Sequence, residues 1–170
     1  MLTQNQIATL EPRVRTIQII VGALIMGVIG FAGIISVITD WNAVHSDFSI
    51  LTILGVAVGL MMCLASMIVP SMIGQSAGQT AIGAVKSRGN KLDSDDGLNA
   101  LVSTYQTMTV VRNAMLESAA FLNVLLFMID HSLVSLAVMA GVIVLMLVTF
   151  PRATSIYGWI EITMRDGGAM

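Results

Sequence analysis

The stretch VVRNAMLESAAF, residues 110–121, holds the side chains best placed to do chemistry. Arg112, Asn113 and Glu117 stand at the entrance of a run that is apolar except for Asn123 and ends at Ile129. If that run is a helix crossing a bilayer, Glu117 lies about 18 Å from its outer end at 1.5 Å per residue. An acidic side chain at mid-membrane costs about 2.5–3.5 kcal/mol on insertion scales. The carboxyl must then face protein or water, be paired, or carry a proton. Thr109 and Asn113 precede it at four-residue spacing, with Gln106 a turn earlier and Ala120 a turn later, so one helix face gathers them. Glu117, Asn113 and Thr109 form the candidate intramembrane polar site, with Asn113 one turn away and able to hydrogen-bond the carboxyl. Two roles follow: an interhelical hydrogen bond that fixes packing or oligomer register, which is the favoured one, and a proton or cation site. If the span starts later, Glu117 is instead an exposed juxtamembrane carboxylate. Arg112 is five residues from Glu117, about 140° around the axis, so it is not the natural partner on the same helix. It lies near the inner boundary, where it can snorkel to a lipid phosphate, and a headgroup contact is its expected role.

A second group sits in two short polar segments. Asp40, His45 and Asp47 fall in residues 39–49, and Asp130 and His131 in the turn at 130–132. Histidine with carboxylates can hold Zn²⁺, but the spacing matches no strong metal motif. Solvated loops are expected, with no metal and no cofactor. An axial haem pair would require histidines inside the spans. Walker and Rossmann glycine patterns are absent, as are a supported Ser-His-Asp set and a zinc-protease helix, so no catalytic residue is assigned. Cys63 is the sole cysteine and lies in an apolar run, which excludes an intrachain disulfide. The 13 methionines suit irregular helix packing better than metal binding.

The elements that position these residues are legible from composition. The chain is 56% hydrophobic and 11% charged, against about 25% charged residues in soluble domains. An all-α integral membrane protein is predicted. Four segments approach the length of about 20 residues that a hydrocarbon core requires: 17–38, 50–73, 110–129 and 133–150, the last stopped by Pro151. All eight basic residues (Arg13, Arg15, Lys86, Arg88, Lys91, Arg112, Arg152 and Arg165) fall on one side of that scheme. By the positive-inside rule that side is cytoplasmic, which gives a multi-pass protein with both termini cytoplasmic and, in a bacterium, the inner membrane. The first span is longer than a signal-peptide core and no A-x-A site follows it, so it reads as uncleaved. The net charge of −2 and the lack of a basic stripe argue against nucleic acid; the bilayer is the expected partner.

Between spans two and three, residues 74–109 are too polar to cross. GQSAGQTAIGAVKSRG carries on the register of span two. Small residues recur three or four apart at Gly55, Gly59, Cys63, Ser66, Pro70, Gly74 and Gly78, a single seam along a helix. Gly55, Gly59, Gly74 and Gly78 are its closest-approach positions. Ala23, Gly27 and Gly30 of span one offer one surface for it, a second copy or a larger membrane protein another. SRGNK reads as a turn, and Asp93 or Ser94 as the N-cap of the next helix, with acidic residues in its first turn. A cytoplasmic helical hairpin extending helices 2 and 3 is predicted over 74–109. Residues 16–27 and 107–118 align weakly, and spans two and four each end in a proline, so two in–out hairpins repeated in parallel are one reading. In residues 152–170, Ile156, Trp159, Ile160 and Met164 share a face, predicting a short interfacial helix anchored in lipid.

With TIQIIVGALIMGVIGF, YQTMTVVRNAMLESAAF and FPRATSIYGWIE in view, the chain resembles a group of small bacterial four-span inner-membrane proteins. The likeness rests on an aliphatic first span and an R-x-A-x-x-E element, here Arg112, Ala114 and Glu117. It implies a fold and a location but no activity. The chain is also loosely similar in architecture to rotor proteolipids, although their essential glutamate lies on the last helix and span four here has no acid. The expected function is that of a small, non-enzymatic structural or accessory membrane protein assembling through small-residue helix packing. The alternative is a proton- or cation-conducting module using Glu117.

Overall fold

The computed structural model describes residues 3–47, 49–87 and 94–168, without the side chains of 81, 84–86 and 166–168. It is all-helical. The described residues form α1 (Gln4–Ile38), a 3₁₀ turn at Trp41–Ala43, α2 (Ile50–Ser87), α3 (Asp95–Asp130), α4 (Leu133–Val148) and α5 (Ala153–Gly168). Three helices, α1, α2 and α3, are long and apolar enough to cross a membrane. A fourth crossing results if α4 and α5, bent by 65° at their junction, count as one broken span.

α1 begins well before the apolar run at 17–38. Thr3 Oγ1 accepts from Gln6 N at 3.4 Å and Gln6 Oε1 accepts from Thr3 N at 2.9 Å. This reciprocal capping box satisfies two otherwise orphaned amides. Pro12 lies inside the helix, which continues because Leu10, Val14, Ile17 and Val21 keep one buried face on either side of it. α2 likewise does not stop at Pro70, so the two prolines aligned in the repeat reading act differently: Pro151 separates two helices and Pro70 does not. At the start of α3, Ser94 Oγ accepts from Gly97 N at 3.3 Å, the N-cap geometry. Most of the SRGNK turn, residues 88–91, lies outside the described residues.

The chain divides into two compact units. One comprises Met1–Val21, Val69–Val111 and Pro151–Met170. Its core gathers Leu10, Val14 and Ile17 from α1, Leu98, Leu101 and Val102 from α3, and Ile156 and Ile160 from α5. Trp159 and Met164 pack against that cluster, and the Trp159 ring stands 5.5 Å from Tyr105. Gln18 Nε2 donates to Pro151 O at 3.1 Å, fixing the chain just before α5. On the apolar face of α5, Ile156 and Ile160 are thus covered by α1 and α3, while Trp159 and Met164 are partly buried. Its i, i+4 pair, Ile156 and Ile160, is fully buried.

The other unit comprises Gly22–Ile68 and Arg112–Phe150. Along α2 the usual pattern of a soluble helix is inverted. Ile53, Leu54, Leu60, Met61, Leu64 and Met67 are exposed, while Thr52, Gly55, Gly59 and Ser66 are buried. In water that would leave a large apolar surface bare. In lipid it is the expected arrangement, since small residues admit close backbone approach and large aliphatics meet acyl chains at no cost.

Candidate functional site

Several polar features stand in the unit formed by residues 22–68 and 112–150. The first is the helix contact around Asn123. This side chain is fully buried, and its Nδ2 donates to Ala119 O at 2.9 Å and across to Gly55 O at 3.3 Å. A Cβ at Gly55 would stand 2.6 Å from Leu126 Cδ1 and 2.9 Å from Asn123 Oδ1. At Gly59 it would stand 3.0 Å from Val138 Cγ1 and 3.3 Å from Asn123 Nδ2. The seam at Gly55 and Gly59 is thus filled from within the chain, by α3 and α4 rather than by α1. In the other unit, Gly74 meets Met108, whose Sδ and Cε would both lie 2.6 Å from an added Cβ, whereas nothing lies within 4 Å of that position at Gly78.

The second feature is Glu117. Its carboxyl is half-buried and faces α1: Oε1 is the nearest atom, at 3.8 Å, to where a Cβ on Gly27 would stand. Among the described residues Glu117 takes no hydrogen bond or ion pair, so the bond expected from Asn113 is not made. Asn113 and Thr109 are buried and have polar interactions of their own. Nearby, α1 leaves Ala23, Gly27, Gly30 and Gly33 exposed, with nothing within 4 Å of a Cβ at Gly30 or Gly33. An open small-residue face is thus present on α1, and Glu117 borders it.

Arg112 has a partner that the sequence did not name. Its Nη2 donates to Thr149 O at 2.9 Å, just past the last residue of α4. A cation there satisfies an orphan carbonyl and meets the negative end of the helix dipole. The guanidinium expected at a lipid phosphate thus has one of its donors held by protein.

The third feature joins the two turns on the other side. Ser49 caps α2, its Oγ accepting from Thr52 N at 3.1 Å. The hydroxyls of Ser49 and Thr52 both donate to Asp130 Oδ2, Thr52 at 2.6 Å. These donors, and secondarily the nearby His45 and His131, hold the Asp130 carboxyl below its ordinary range. Asp130 lies beyond Ile129, the last residue of the apolar run. His45 N donates to His131 O at 3.1 Å and Leu133 N to His45 O at 2.9 Å. Asp40 caps the 3₁₀ turn through Asn42 N at 3.0 Å. His131 takes a positive φ of 52°, a conformation costly for a residue with a Cβ. No three His, Cys, Asp or Glu side chains among the described residues could hold a metal together; Asp40 bonds a backbone amide and Asp130 bonds two hydroxyls.

Long helices apolar enough to cross a membrane, with large aliphatics outward and Gly55 and Gly59 packed within the chain, are the features of an α-helical membrane protein. The sequence matches no family model, no curated protein and no solved structure.

Proposed function

We propose that this chain is a small, non-enzymatic, multi-pass protein of a bacterial inner membrane that assembles with a second copy of itself through α1, in a structural or accessory role. Both ends and a helical hairpin over 74–109 face the cytoplasm in this reading, following the one-sided placement of Lys and Arg. The observation that carries it is Glu117. A carboxyl in the hydrocarbon that finds no donor among the described residues, beside the exposed Ala23, Gly27 and Gly30, fits an interface where another backbone comes close and a donor crosses to it. The seam at Gly55 and Gly59 does not serve, because Asn123 and Val138 occupy it.

The same lack of a partner supports a second reading, a proton or cation site at Glu117. Single-cysteine variants on a Cys63→Ala background separate the two in liposomes. Assembly predicts disulfide dimers from Gly30→Cys and none from the lipid-facing Leu60→Cys. Glu117→Gln keeps the dimer, because an amide still hydrogen-bonds. A proton-carrying role predicts a pH-driven flux that Glu117→Gln abolishes. Flux without crosslinking at Gly30 would replace the first reading with the second.

A further inference from the structure

The unit holding residues 69–111 contains a groove of about 410 Å³ between α2, α3 and α5. That is the size of a small-molecule site, which is commonly about 300–1,000 Å³. Its floor is Gly74 and Gly78 with the Met108 thioether, and one wall is Trp159. Ile162, 54% exposed, carries the apolar wall out to the surface. The opposite lip is polar: Gln75 and Gln79 are exposed and one turn apart, so two amides lie on the same face. Among the described residues, none that lines the groove is charged. Along α2 the apolar run ends at residue 73 and the polar stretch begins at Gly74, so the groove begins where a bilayer's hydrocarbon gives way to headgroups. Trp159 is of the type enriched at that level.

We propose that this groove binds a membrane lipid with an uncharged, hydrogen-bonding head, of the diacylglycerol type. Its acyl chain lies along Met108, Trp159 and Ile162 and its head on the amides of Gln75 and Gln79. A polyanionic headgroup finds no cation among the described lining residues, and a fully apolar molecule would leave both amides facing hydrocarbon. The inference stands apart from the reading of Glu117 and is tested without it.

The test uses the full chain in phosphatidylcholine nanodiscs containing a photoactivatable diacylglycerol, with photoactivatable phosphatidylglycerol as the anionic comparison. Label is expected to map to residues 71–82 and 159–163. Gly78→Phe fills the groove, since nothing lies within 4 Å of its Cβ position, and labelling should fall about tenfold, the equivalent of 1.4 kcal/mol, with an unchanged melting temperature. Should Gly78→Phe fail to fold, the double variant Gln75→Leu/Gln79→Leu, which removes both amides, takes its place with the same expected loss. Label spread over lipid-facing positions such as Ile53 and Leu60, equal labelling by phosphatidylglycerol, or labelling undiminished in a folded variant would overturn the proposal.

Discussion

Gly55→Ala tests whether α2 and α3 meet as described. The new methyl would stand 2.6 Å from Leu126 Cδ1 and 2.9 Å from Asn123 Oδ1, against an optimum of about 3.5–4.0 Å between carbons. Leu126 can move its terminal methyl. Asn123 cannot yield as easily, because its amide is held by Ala119 O and Gly55 O. Overpacking of this kind costs about 1–3 kcal/mol, and the weakened interhelical bond adds about 0.6 kcal/mol. Alanine's better helix propensity returns about 1 kcal/mol. The net expectation is a loss of about 0.6–2.6 kcal/mol, read as a shift in reversible unfolding in bicelles. Gly30→Ala is the internal control. It meets nothing within 4 Å, and the monomer should be as stable as the parent or slightly more so. If Gly55→Ala is as stable as the parent, or Gly30→Ala is equally damaged, the close approach of α2 to α3 at Asn123 is wrong.

Two further outcomes follow from the polar contacts. Arg112→Gln removes a charged donor from Thr149 O; such bonds contribute about 1.5–3 kcal/mol when buried, less here because Arg112 is half-exposed, and faster amide exchange at the end of α4 is the readout. The lowered Asp130 carboxyl gives a stabilising contribution that is fully present above the ordinary carboxylate range and lost as pH falls through its lowered value. Acid should therefore loosen the contacts of Ser49 and Thr52 with Asp130 before the helices melt, and Asp130→Ala should abolish that acid step.

Much of the fold is legible in the sequence because the solvent is the bilayer. Long apolar runs bounded by charge leave little choice but helices, and the three- and four-residue spacing of small residues from Gly55 to Gly78, through Cys63, Ser66 and Pro70, marks the more buried face of α2. The filling of that face was not legible. Asn123 is the one polar residue in the apolar part of α3 beyond Ser118, a usable sign, but its register against Gly55 depends on how two helices cross. Residues 4–16 look too polar for a span, yet Leu10, Val14 and Ile17 repeat at helical spacing behind the Thr3–Gln6 capping box. The face of α5 reads equally well as lipid-facing or protein-facing, because an amphipathic stripe does not name what covers it. Arg112 and Thr149 are 37 residues apart, and no local pattern joins them.

Self-assembly through α1 can be measured as the monomer–dimer equilibrium in bilayers, followed by energy transfer between labelled copies as protein is diluted into lipid. A reversible dimer is expected that Glu117→Leu and Gly30→Leu each weaken about tenfold, or 1.4 kcal/mol, with Glu117→Gln and the lipid-facing Leu60→Ala close to the parent. A chain that stays monomeric at every density, or a dimer indifferent to Glu117→Leu and Gly30→Leu, would refute assembly through α1.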